Sequence, residues 1–266
     1  MAHQVVPYED FVEQRRRAML HGKYLPIHQQ LVPLTNTGNS CYVTAVVNFL
    51  FSSSYMSELF YNQSSGHPLL TALREMAAKD PTKDPTKEKP INAWDLRRAV
   101  VQQVPRAKQF VKEHQEDAAE FLDILLQAIE EVIENPTEKN VFKSKFTIGT
   151  EVSYTCSNNW TSHTHIKPME YVTILPLPVK DTTNKTPLKH LGEAIGNYFN
   201  HEVIRKNCQD CRETISTKKQ VVKIFPEVLI FQYLRFESGS DAKLNCPIEV
   251  PWERKIMNFR GREKYW

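Results

Sequence analysis

The sequence predicts an α+β fold in which helices come first and strands follow. Two observations carry this reading. Between Cys41 and Arg106, and again from Gln115 to Ile133, apolar residues recur at helical spacing, whereas after Pro136 the text turns to β-branched and aromatic runs. At 266 residues, with 41% hydrophobic and 24% charged content, the chain can bury a substantial core as one large domain or two subdomains.

The elements follow in order. Residues 1–30 carry charged, helix-compatible text from Glu9 to His21, broken at Pro26, and are expected to form a flanking extension. Val43, Val46, Val47, Leu50 and Phe51 then mark a helix that starts at Cys41. The near-repeat Asp80-Pro-Thr-Lys-Asp84-Pro-Thr-Lys87 is too polar to pack and predicts an exposed loop. A long helix is expected from about Gln115 to Ile133, where Phe121, Leu122, Leu125, Leu126, Ile129 and Ile133 form one stripe and Asn135-Pro136 ends it. Strands are expected over residues 145–154, 171–178 and 221–231.

The totals exclude some functions. Net charge is +3, with 34 basic against 31 acidic residues, so nothing points to nucleic acid or to a membrane surface. Five cysteines cannot all pair, which argues for a reducing compartment, the cytoplasm or nucleus. The N-terminus lacks the pattern of a signal peptide, and no segment is apolar for long enough to span a bilayer.

One segment carries chemistry. In Leu34-Thr-Asn36-Thr-Gly38-Asn39-Ser40-Cys41-Tyr42 a lone thiol follows turn and cap residues and opens an apolar helix. Backbone N–H groups and the positive end of a helix dipole favour thiolate there, and the thiolate is the nucleophile. On its own, the pattern also suits a buried structural cysteine. The run Gly38-Asn39-Ser40-Cys41-Tyr42 closely resembles the cysteine box of the ubiquitin-specific proteases, with Ser40 in place of the usual Thr. The resemblance implies that Cys41 is the nucleophile and that Asn36, five positions earlier, donates to the oxyanion. The Cys41 N–H would be the second donor, an arrangement suited to acyl transfer.

Further matches appear in family order. His114-Gln115-Glu116-Asp117-Ala118-Ala119-Glu120-Phe121-Leu122 looks like the family's Gln-Gln-Asp-Ala-His-Glu-Phe box, departing at Glu116 and Ala119. It implies that Gln115 and Asp117 lie at a helix start facing the cleft and bind the arginine-bearing tail of ubiquitin, as a carboxylate can by charge-assisted hydrogen bonds. Without the resemblance, acidic residues in a first turn are ordinary helix capping. Cys208-Gln-Asp-Cys211 is a knuckle suited to half of a tetrahedral zinc site. The upstream text offers Cys156, but Asn159 stands where the family has a second cysteine, with His163 and His165 as alternative fourth ligands. Asn is a poor partner for zinc beside thiolates, so the site looks incomplete and the balance is against a structural zinc. Residues 225–236, ending Leu234-Arg235-Phe236, resemble the palm strand that closes in Leu-Lys-Arg-Phe.

The resemblance spans about residues 31–266 and implies a papain-like cysteine protease fold: a helical thumb over about 31–136, then β palm and β fingers over about 137–266. It implies a deubiquitinase that cleaves isopeptide and peptide bonds after the C-terminal glycine of ubiquitin, needs no cofactor, acts on ubiquitinated proteins and works as a monomer. One part is missing. The family's catalytic His lies in a Gly-His-Tyr motif after the palm strand, yet the nine histidines here all lie at or before His201 and none stands in that context. The domain therefore reads as incomplete at its C-terminus, and the alternative is a ubiquitin-binding pseudoprotease.

Overall fold

Helices occupy the first part of the chain because its apolar residues return every third or fourth position, giving each segment one face to bury. The computed structural model describes residues 34–35, 38–52, 56, 59–60, 66–77, 91–112, 114–156, 162–236 and 242–250. The extension at 1–30, the loop at 80–87, Asn36, Asn159 and residues 251–266 lie outside the described residues. The chain divides into two compact units with the boundary between Asn140 and Val141.

In the first unit, β1 (Leu34–Thr35) runs parallel to β2 (Ile91–Asn92). Helix α1 (Cys41–Phe51) buries Tyr42, Val43, Val46, Val47, Leu50 and Phe51. Helix α2 (Pro68–Ala77) and helix α3 (Ala93–Gln103) follow, the latter N-capped by Asn92, whose side chain accepts from the Trp94 N–H at 2.9 Å. A 3₁₀ segment, Pro105–Val111, leads on, and helix α4 spans Ala118–Val132. Phe121, Leu122, Leu125, Leu126 and Ile129 are buried along α4, as the stripe predicts.

Two expectations about α4 need correction. The helix starts at Ala118, so Gln115 and Glu116 precede it. The reason is the Asp117 carboxylate, whose Oδ1 accepts from the Ala119 N–H at 2.7 Å and the Glu120 N–H at 2.9 Å and so fixes Asp117 as N-cap. Asn135-Pro136 does not end α4, which stops at Val132. Instead it opens helix α5 (Pro136–Phe146), with the Asn135 side chain accepting from the Thr137 N–H at 2.9 Å and Pro136 in the first turn, where its missing N–H costs nothing.

The second unit holds the expected strands with shifted bounds. Strand β3 (Ile148–Cys156) is flanked along one edge by β5 (Glu170–Val172) and then β4 (Thr164–Ile166), and along the other by β8 (Ile215–Ile224), with β7 (Glu202–Arg205) outside β8. All four pairings are antiparallel. Gly149 is required where β3 meets β8: a Cβ there would lie 2.9 Å from the Ile224 Cβ, at the point where the register shifts. The run expected over 221–231 is interrupted at Phe225-Pro226. Strand β9 (Ile230–Leu234) pairs instead in parallel with β6 (Ile174–Pro178). Helix α6 (Leu191–Tyr198) was not expected, and Leu191, Ala194 and Ile195 on it pack with Ile148, Leu175 and Val222 as the core of this unit. Among the described residues, no helix is long and apolar enough to cross a membrane.

Candidate functional site

The turn before Cys41 is built from residues that tolerate left-handed backbone. Gly38 has φ 76° and Asn39 φ 46°, a region that glycine enters freely and asparagine more readily than most residues. Ser40 then occupies the N-cap position, wholly buried, and its carbonyl takes the Val43 N–H at 3.1 Å and the Thr44 N–H at 3.3 Å. Cys41 is thus the first residue of α1, and it is exposed while Tyr42 and Val43 beside it are buried. At that position its own N–H has no intrahelical acceptor, so thiol and amide donor belong to one residue at a helix start.

Tyr42 connects this turn to the Gln115 segment. Its hydroxyl donates at 3.1 Å to the carbonyl of Phe110, and its ring meets Phe110 and Phe121 at centroid separations of 5.8 and 5.3 Å. The same carbonyl accepts from Nε of Arg97, while Arg97 Nη2 donates to the Lys112 carbonyl at 2.6 Å. Arg97 is completely buried, with the Trp94 ring 4.9 Å and the Tyr42 ring 5.7 Å from its guanidinium carbon, and its Nη1 has no hydrogen-bond partner among the described residues. One buried cation therefore fixes the 3₁₀ segment on α3, three residues before Gln115. Burial raises the Tyr42 phenol above its ordinary pKa, an effect that the positive charge of Arg97 partly offsets. Gln115 is exposed, and Asp117 turns Oδ1 to its own helix while Oδ2 takes no partner among the described residues.

In the second unit, Cys156, Cys208, Cys211 and His163 converge, their ligand atoms all within 4.8 Å of one another. The sequence left the fourth donor open, and the structure supplies His163. The Cys156 N–H donates to the His163 carbonyl at 3.1 Å, so pairing of β3 with the approach to β4 sets this histidine opposite the cysteine. Cys156 Sγ lies 3.6 Å from His163 Nδ1 and 3.6 Å from Cys211 Sγ. Tetrahedral zinc, with bonds of about 2.3 Å to sulfur and 2.0–2.1 Å to nitrogen, separates two sulfurs by about 3.8 Å and sulfur from nitrogen by about 3.6 Å. These four residues fit such an ion. As a closed set of four protein ligands it would be structural, tying the end of β3 to the knuckle between β7 and β8.

The family model of the ubiquitin carboxyl-terminal hydrolases matches residues 32–265. The chain belongs to that family. No curated protein matches it. Members of the ubiquitin carboxyl-terminal hydrolase family are cysteine-type hydrolases of papain-like fold that act on ubiquitin and ubiquitinated proteins, and their chemistry requires no cofactor. The mixed helices and sheets of this chain are those of an α+β protein, as expected.

Two residues of this member of the family carry more of the site than their sequence context indicates. Tyr42 enters the sequence reading only as the last residue of the cysteine box and Arg97 not at all, although Trp94 and Arg97, three apart on α3, share one helix face and are suited to a cation–π contact. Asn36 lies outside the described residues.

Proposed function

We propose that the chain is a cysteine deubiquitinase that cleaves isopeptide and peptide bonds after the C-terminal glycine of ubiquitin through Cys41. The observation that carries the proposal is the exposed thiol at the first position of α1, set by a left-handed Gly38-Asn39 turn and braced through Tyr42. In the first step Cys41 sulfur bonds to the glycine carbonyl carbon, and the oxygen takes up the negative charge. The Cys41 N–H and the Asn36 side chain serve as its donors. The tetrahedral species collapses to a thioester as the amine departs with the proton that the thiol gave up; water then adds to the thioester carbonyl, the C–S bond breaks, and ubiquitin leaves as the carboxylate while Cys41 takes a proton back. Gln115 and Asp117 hold the arginine-bearing tail, with Asp117 Oδ2 as acceptor.

In this reading about 31–136 form the thumb and about 137–266 the palm and fingers. The four-donor set at Cys156, His163, Cys208 and Cys211 holds a structural zinc, for which the donor spacing is the support. Five free thiols support a cytoplasmic or nuclear protein.

A second reading has its own observation. None of the nine histidines lies in a Gly-His-Tyr context, and acyl transfer without a base falls by orders of magnitude. On that reading this chain binds ubiquitin without turnover. Incubation with fluorogenic ubiquitin separates the two: hydrolysis that Cys41→Ala abolishes supports the first, while measurable ubiquitin affinity with no hydrolysis supports the second.

A further inference from the structure

A second layer of groups surrounds the four-donor set. Two of its sulfurs lie within hydrogen-bond reach of a nitrogen outside the donor pairings. Cys156 Sγ takes the backbone N–H of His163 at 3.2 Å, and Cys208 Sγ lies 3.5 Å from Nε2 of His165. Cys208 is buried, and among the described residues the His165 ring is the hydrogen-bond partner of its sulfur. The same Nε2 lies 3.2 Å from Oδ2 of Asp210, which is inside the Cys208–Cys211 loop itself. Asp210 is half exposed, so water can satisfy its carboxylate; the buried sulfur has no such recourse.

Register explains how both histidines reach the knuckle. His165 pairs with Tyr154 across β3 and β4, and His163 stands opposite Cys156. Residues two apart on a strand share a face, so both rings lie on one side of β4. His163 joins the donor set and His165 backs it.

We infer that His165 is a positioning residue for zinc: its single Nε2–H, shared between Asp210 Oδ2 and the Cys208 thiolate, ties the knuckle loop to that sulfur and so fixes and stabilises the ligand. This rests on the reading of Cys156, His163, Cys208 and Cys211 as a zinc site. Three thiolates and one imidazole around Zn²⁺ leave a net charge of −1, and N–H donors to sulfur disperse that excess. Loss of such outer partners costs metal sites about 10- to 100-fold in affinity.

The test is zinc affinity of the full chain, by competition with a chromophoric chelator, alongside the absorption spectrum of its Co²⁺ form. The expected results are one zinc per chain, a 10- to 100-fold loss for His165→Ala with stoichiometry kept, and substantial recovery in His165→Gln, which restores an N–H donor. In the Co²⁺ form, His165→Ala should also move the sulfur-to-cobalt band to lower energy, which loss of packing alone does not do, while His163→Ala should alter the ligand-field bands. No metal uptake by the wild-type chain overturns the zinc reading and this role with it. One zinc bound with unchanged affinity in His165→Ala overturns the His165 role alone. Two metals per chain, or loss of stoichiometry in His165→Ala with His163→Ala intact, also overturns it by making His165 a ligand.

Discussion

Tyr42, the residue after Cys41, is tied to Phe110 by a hydrogen bond of 3.1 Å to its carbonyl, and that carbonyl also accepts from the buried Arg97. The thiol-bearing turn and the segment leading to Gln115 and Asp117 therefore share one anchor. Arg97→Met leaves the carbonyls of Phe110 and Lys112 without their charged donor, and should cost about 3 kcal/mol of stability in urea unfolding. Tyr42→Phe removes one neutral bond and should cost about 1 kcal/mol. Equal stability of Arg97→Met and the wild type would remove the anchor from the account.

The same pair predicts a response to alkali. Burial raises the Tyr42 pKa, so the folded chain holds that proton more tightly than the unfolded one. The stability this contributes is fully present below the unfolded tyrosine value of about 10, and is lost as pH rises through the higher folded value. Tyr233 is raised by burial in the same direction and contributes likewise. Tyr42→Phe should therefore flatten part, not all, of the stability loss measured as pH rises above about 10. An unchanged profile would mean that Tyr42 gives up its proton as readily in the folded chain as in the unfolded one, against the effect of burial.

Asp117 has two separable jobs. As N-cap of α4 it accepts from Ala119 and Glu120, and Asp117→Ala should cost about 1 kcal/mol of stability. Asp117→Asn keeps a capping oxygen but removes the charge, so stability should stay within about 0.5 kcal/mol while ubiquitin affinity falls several-fold. Unchanged affinity in Asp117→Asn would leave the residue a cap only.

Gly149 tests the sheet. An alanine Cβ there meets the Ile224 Cβ at 2.9 Å, and the two strands must part to admit it. Gly149→Ala should cost about 1–3 kcal/mol by thermal unfolding, with part recovered by Ile224→Ala in the same chain. A neutral Gly149→Ala would contradict the close approach.

Metal removal tests the fingers reading. If zinc joins β3 to the knuckle, a strong chelator should lower the melting temperature and Cys211→Ser should abolish that response. A chelator-insensitive melting temperature in zinc-loaded protein would contradict it.

These residues also show what a sequence discloses. Cys41 was legible as a helix start because Gly38, Asn39 and Ser40 are turn and cap residues and the apolar spacing begins immediately afterwards. Helix α5 was not, because Phe142 and Phe146 are its only buried side chains and its remaining text is polar; Asn-Pro follows the end of one helix as readily as it caps and opens the next, and here it opens α5. His163 and His165 are indistinguishable by spacing, since both fall on one face of the strand and only the β3 register selects between them. Arg97 looks like a solvated helix cation beside Arg98. Its burial depends on carbonyls at Phe110 and Lys112, 13 and 15 residues away, whose need for a donor exists only in the folded chain.

The central claim is that Cys41 is a nucleophile aimed at the ubiquitin C-terminus. The most direct measurement is intact-mass analysis after incubation of the 266-residue chain with ubiquitin carrying a C-terminal electrophile. One covalent ubiquitin per chain is expected, lost in Cys41→Ala. No adduct, or an adduct that survives Cys41→Ala, would contradict it.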